Sequence, residues 1–351
     1  MADIALPIFR QRPAPGAAIA IATVLAIAYG AVPLAGSSYL FEAILTPFLA
    51  LSLAGLGLNL LTGYAGQLSL GSAAFMAVGA FAAYNFDFRV PGLPFLASVA
   101  LGGLSAAAVG LAFGLPSLRL RGFYLAVSTL AAQFFVQWAL NKFDWFTNGS
   151  ASGVVRAPDI VIFGHVFDSP QERYLFALTV VAAAVLFAAR LAGSQTGRNF
   201  IAVRDNETAA RVIGVPVLRT KLIAFAISSF IIGVAGALWS FAYLRTLEPA
   251  GFNLDRSFQI LFIVIIGGLA SIRGAFFGAA FIVVLPLGLS RAGQALLGGS
   301  FDSGALELSQ RILLGALIIA FLIAEPAGLV ALFDRARARL SRLLHRPQAR
   351  G

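Results

Sequence analysis

Apolar stretches of about 20 residues follow one another along almost the whole chain, separated by short glycine-rich, proline-rich or charged breaks. An α-helix rises about 1.5 Å per residue, so each stretch matches a hydrocarbon core about 30 Å thick. The pattern predicts spans near Gly16–Ala35, Tyr39–Leu61, Phe95–Leu115, Phe123–Leu140, Tyr174–Leu191, Leu222–Leu244, Ala275–Leu289 and Ile312–Leu332, with others ending near Tyr84 and Ala270. A transmembrane β-barrel would show weak alternating segments of about ten residues instead. The prediction is an all-α, polytopic transmembrane helix bundle of about ten spans, with an uncleaved first helix.

One long polar, helix-forming interruption stands out, Gly197–Lys221. It carries Arg198, Arg204, Arg211, Arg219 and Lys221 against Asp205 and Glu207. Asp205 or Asn206 can cap a short helix through Glu207, Thr208, Ala209, Ala210, Arg211, Val212 and Ile213. Gly214 suits the left-handed position after a helix, and Pro216 cannot extend it. Such a helix is marginal alone. It therefore reads either as a connector lying on the membrane or as a docking element for another protein.

Composition settles the class. The chain is 59% hydrophobic and only 11% charged, whereas a soluble domain is about a quarter charged. The net charge of +10 reads as topology rather than as nucleic-acid binding. Lys and Arg concentrate at Arg10 and Arg12, at Arg119 and Arg121, in Gly197–Lys221, and in a tail from Arg335 to Arg350. The excess of basic residues in cytoplasmic loops then predicts both termini inside. The basic tail is attracted to anionic membrane lipid. The implied organisation is a cytoplasmic N-terminal segment over 1–16, a transmembrane domain over 17–332 containing the 197–221 loop, and a basic cytoplasmic tail over 333–351. There is no cysteine and there are two histidines, so neither a disulfide framework nor a histidine metal site is expected.

No G-x-x-x-x-G-K-[ST] phosphate loop occurs, and Lys142 and Lys221 are the only lysines. No cofactor and no catalytic constellation is expected. Glu42 and Glu325 sit near the ends of their spans, which leaves no mid-membrane carboxylate for ion coupling. Energy for any transport would come from a partner. The polar positions within apolar segments are few. Asn59, Tyr64, Gln67, Ser69 and Ser72 fall in or beside the glycine-punctuated run Gly55–Gly71, which reads as close helix packing or as the wall of a translocation pathway. Gln133, Gln137 and Asn141 share one helical face, either for interhelical hydrogen bonding or as a polar wall. Gly267–Gly274 is a second glycine-rich break. Asn148-Gly149-Ser150 matches a glycosylation sequon, a pattern too short to carry weight.

Several of these segments carry a family resemblance. Thr208-Ala209-Ala210 followed by Gly214 resembles the E-A-A-x-x-x-G coupling loop of bacterial ABC-importer permeases, with Thr208 at a variable position. Leu58–Gly71, Leu118–Ala126, Gly267–Gly274 and Glu325–Leu329 resemble, in that order, segments of the LivM-type permease of branched-chain amino acid importers. The similarity runs from about Leu51 to Leu332. The family often has His where this chain has Ser72. The resemblance implies a permease subunit of an ATP-driven importer in the bacterial inner membrane, not itself an enzyme. It implies two ATP-binding subunits, a second homologous permease and a periplasmic solute-binding protein as partners. Arg204, Asp205, Glu207, Thr208, Ala209, Ala210, Arg211 and Gly214 would couple to the ATPase. The implied solutes are leucine, isoleucine and valine, with urea, short amides or aromatic compounds as the alternative. A stand-alone secondary transporter is the competing mechanism.

Overall fold

The computed structural model describes residues 22–117, 123–150, 152–297 and 328–335, with isolated positions between 312 and 323. The expected N-terminal segment, the Arg119–Arg121 turn, most of the last span with Glu325, and the tail beyond Arg335 lie outside the described residues.

The described chain is almost entirely helical. Its elements are α1 (Ala22–Leu34), α2 (Leu40–Tyr64), α3 (Ser72–Arg89), α4 (Phe95–Ser117), α5 (Phe123–Lys142), α6 (Pro170–Gly193), α7 (Gln195–Asp205), α8 (Glu207–Val212), α9 (Val217–Leu244), α10 (Leu254–Gly267) and α11 (Ile272–Leu297). Among the described residues five helical segments are long and apolar enough to cross a membrane: Leu40–Tyr64, Phe95–Leu115, Pro170–Gly193, Val217–Leu244 and Ile272–Arg291. Four two-residue strands decorate the end of the bundle opposite α8. β1 (Val155–Arg156) pairs with β4 (Thr246–Leu247), and β2 (Val161–Ile162) pairs with β3 (His165–Val166) through a turn at Phe163-Gly164.

Local sequence explains the helix starts. Ser169 and Glu172 form a reciprocal capping box that brackets Pro170 at the first turn of α6, which satisfies two otherwise free backbone donors. Ser194 accepts from the Gly197 amide at the start of α7, and Asn253 accepts from the Arg256 amide at the start of α10.

The centre of the bundle is α2, buried at every residue from Leu49 to Leu61. Beside it, α3, α4 and α9 approach one another at backbone distance. A Cβ added at Gly79 would overlap the Gly233 backbone, and one at Gly236 would overlap Met76. Ser228 of α9 donates to the Gly57 carbonyl of α2 at 2.7 Å. Without a hydrophobic drive between helices in lipid, such small-residue contacts and interhelical hydrogen bonds provide the association energy. Arg173 of α6, almost fully buried, pairs with Glu42 of α2 at 2.8 Å, which accounts for the carboxylate near that span's end.

Several element boundaries differ from the sequence reading, α11 (Ile272–Leu297) running well past the expected Ala275–Leu289 among them. α3 continues to Arg89, because Asn85 Nδ2 donates back to the Phe81 carbonyl and Arg89 Nε to Asn85 Oδ1. α10 begins at Leu254, so Asp255 and Arg256 belong to its first turn rather than to a loop.

Candidate functional site

The charged segment folds as two short helices crossing the end of the bundle. Asn206 is the cap of α8: its Oδ1 accepts from the amides of Thr208 at 2.9 Å and Ala209 at 3.0 Å. Asp205 instead pairs with Arg204 at 2.8 Å. At the other end Gly214 has φ +85°, a conformation that costs a non-glycine residue about 1–2 kcal/mol. The Gly214 amide reaches the Arg211 carbonyl at 3.1 Å and the Val215 amide reaches Ala210 at 2.9 Å. These two bonds are the complete Schellman closure. A helix of six residues is thus fixed at both ends by its own sequence.

Its two sides differ. Ala210 is fully buried and packs with Val203 and Val217 in a small core of its own. Thr208, Ala209 and Arg211 face outward, and Val212 and Ile213 are 82% and 74% exposed. Glu207 forms an ion pair with Lys221 at the base of α9.

This unit is bonded to the end of α2. Arg204 Nη1 donates to the Gly63 carbonyl at 2.9 Å, and its side chain packs where a Cβ at Gly66 would stand. From Ala65 to Gly71 the chain is non-helical. Gln67 is buried, with Nε2 3.5 Å from the Lys221 carbonyl and Oε1 without a partner among the described residues. Tyr64 and Ser69 are buried, and Ser69 Oγ accepts weakly from the Gly71 amide at 3.4 Å. Ser72 is fully buried and its hydroxyl has no hydrogen-bond partner among the described residues. Asn59 clamps the neighbouring turn: its Oδ1 accepts from the Ala270 amide at 2.9 Å and its Nδ2 donates to the Ser271 carbonyl at 2.7 Å. Gly63 leaves room for Ala270 to approach.

Deeper in the bundle, Gln133 joins three elements. Its Oε1 accepts from the Ala74 amide at 2.7 Å and from Ser257 Oγ at 3.0 Å; its Nε2 donates to the Phe252 carbonyl at 2.7 Å. Ser257 Oγ also accepts from the Ala73 amide at 2.9 Å. The first turns of α3 and α10 therefore converge on the middle of α5. The rest of the amide face departs from that role: Gln137 is half-buried, and Asn141 is exposed and bonds back to the Gln137 carbonyl.

None of the sequence-selected pathway residues lines either of two cavities in the bundle. One, of about 570 Å³, is apolar and lies among α3, α4 and α5, with Phe81, Val109 and Phe135 in its wall. The other, of about 770 Å³, is lined by Asn253, Asp255, Arg256, Phe258, Gln259, Phe262, Ile282 and Pro286. Sequence reasoning missed this second group because a charged run next to a loop reads as loop. The signal available was Asn253, a helix cap three residues before Arg256.

A buried helical core with interhelical hydrogen bonds, spans of membrane length and a rigidly capped surface helix define a multi-pass membrane protein. The family model described as "Branched-chain amino acid transport system / permease component" matches residues 40–322, and the chain belongs to that family. The high-affinity branched-chain amino acid transport system permease protein LivM of Escherichia coli K12 is 33% identical over 301 residues, covering 79% of this chain and 66% of its own length. The probable LivM permease of Methanocaldococcus jannaschii is 26% identical over 239 residues, covering 66% of this chain and 67% of its own. The L-arabinose transport system permease protein AraH of Escherichia coli K12 is 27% identical over 164 residues, covering 46% of this chain and 44% of its own. The chain thus spans about two thirds of the length of the LivM proteins it matches. No solved structure matches at comparable significance.

Proposed function

We propose that the chain is the transmembrane permease subunit of an ATP-driven importer that moves branched-chain amino acids, or closely related small solutes, across a bacterial inner membrane. Two ATP-binding subunits, a second homologous permease and a periplasmic solute-binding protein complete the complex. The chain crosses the membrane about ten times with both termini inside, its core domain running over 17–332 between a short segment over 1–16 and a basic, lipid-facing tail over 333–351. The glycine-rich breaks at Gly55–Gly71 and Gly267–Gly274 flank the route of the solute, with Asn59, Tyr64, Gln67, Ser69, Ser72, Gln133 and Gln137 along it.

The observation that carries the coupling role is the exposed Val212-Ile213 edge on a helix capped at both ends and bonded through Arg204 to the end of α2. An apolar edge on a rigid surface element fits a partner groove. ATP-driven closure of the partner subunits would push α8 and, through Arg204 and Lys221, the break beside Gln67. Glu207 holds Lys221 in place for that push, while Thr208, Ala209 and Arg211 complete the docking face.

Proteoliposomes containing the whole complex test this reading. ATP inside and the binding protein outside should together drive leucine accumulation, and removing either should stop it. Accumulation driven by an ion gradient without the ATPase subunits would replace the reading with that of a secondary transporter.

A further inference from the structure

We propose that the cavity beside the first turn of α10 is a binding subsite for an α-amino acid with an apolar side chain, its carboxylate held by Arg256. The proposal rests on the importer reading above and names the solute contact within it. Arg256 lies in the first turn of α10, next to Ser257, which meets Gln133 at the middle of α5. A charged side chain inside a membrane bundle is expensive and normally carries a counter-charge. Arg256 has none: among the described residues no carboxylate pairs with it. Its guanidinium stacks on Trp239 at 4.2 Å from the ring centroid and donates from Nη1 to Gln259 Oε1 at 2.5 Å. Its Nε is buried without a partner among the described residues.

Those contacts aim the guanidinium, and no carboxylate among the described residues answers its charge. The planar fork of Arg matches the two oxygens of a carboxylate, and the cavity it lines has room for a small solute. The remainder of the lining fits the rest of an apolar α-amino acid. Asp255, itself without an ion pair among the described residues, supplies a negative charge for the ammonium. Phe258, Phe262 and Ile282 supply an apolar wall for the side chain. Charge and apolar surface are thus divided as they are in the zwitterion.

Ligand-observed saturation-transfer NMR of leucine, with the complete permease–ATPase complex in nanodiscs and no binding protein present, tests the site. Leucine should bind, and leucinamide, which lacks the carboxylate, should bind about tenfold more weakly or worse. Arg256→Gln should abolish the leucine signal. Arg256→Lys, which keeps the charge but loses the fork, should retain a weakened one. Co-purification with the ATPase subunits shows that each variant is assembled. Equal binding of leucine and leucinamide, or undiminished leucine binding by Arg256→Gln, overturns the subsite. Leucine uptake by the unmodified importer is scored separately. An importer that accumulates no leucine, yet shows Arg256-dependent binding of it, refutes the solute reading and leaves the subsite standing. Absence of both refutes both.

Discussion

Arg204 donates from Nη1 to the Gly63 carbonyl across 2.9 Å, tying the segment that carries α8 to the last turn of α2. Gly63 in turn lies against Ala270, between α10 and α11. One side chain therefore connects the surface helix to the ends of two buried ones. Replacing Arg204 with Met keeps the aliphatic packing on Gly66 and removes the bond. Loss of a charge-assisted hydrogen bond costs about 1.5–3 kcal/mol. The expected result is a complex that still hydrolyses ATP but imports less solute per ATP, measured in proteoliposomes. Unchanged stoichiometry would remove Arg204 from the linkage.

Gly214 separates backbone requirement from space. No atom lies within 4 Å of a Cβ built there, yet φ is +85°. Gly214→Ala should destabilise the α8 cap by about 1 kcal/mol and lower uptake, whereas Gly214→Asn, tolerant of left-handed backbone, should lie near wild type. Uptake assays on the pair decide it: equal losses would point to a steric contact with the partner instead.

Val212 and Ile213 are exposed and contribute little to the packing of this chain. Substituting both with Asp should leave the thermal unfolding midpoint within about 2 °C, as expected for surface changes within about 0.5 kcal/mol. Co-purification of the ATPase subunits should fail. Retention of the ATPase would move the docking surface elsewhere.

Gln133→Leu strands the Ala74 amide and the Phe252 carbonyl and takes the acceptor from the Ser257 hydroxyl proton in one substitution. Each buried group left without a partner costs about 1–3 kcal/mol, and a shared network fails together. The unfolding midpoint should fall by many degrees. Gln133→Glu, which keeps the acceptor, should recover part of it.

The helical class and the α8 unit were legible because local chemistry dictates them. Runs of about 20 apolar residues suit a bilayer, and Asn206, Gly214 and Pro216 are punctuation whose meaning depends on neighbours one turn away. The sequence left Asp205 and Asn206 open as caps, and the geometry chose the residue whose Oδ1 reaches two amides. The first turn of α10 was not legible. Asp255 and Arg256 follow a polar connection, and what draws Arg256 inside is the distant pairing of the adjacent Ser257 with Gln133. The partners of Asn59 were equally hidden, since a short amide does not reveal which of several glycine-rich turns it will clamp. Small residues announce close packing, but not that Gly79 lies against Gly233.

That last contact has a mechanical consequence. Where α3, α4 and α9 touch backbone to backbone, at Gly79, Gly102, Gly233 and Gly236, there are few side-chain rotamers to rearrange and no slack to take up. Helices that meet through long side chains slide by repacking them, in the manner of shear motion. At these four positions the three helices have no such side chains to repack. On the coupling reading proposed above, a push delivered at the foot of α9 would turn the trio together, with the give at its borders against α5 and the glycine-rich turn after α10.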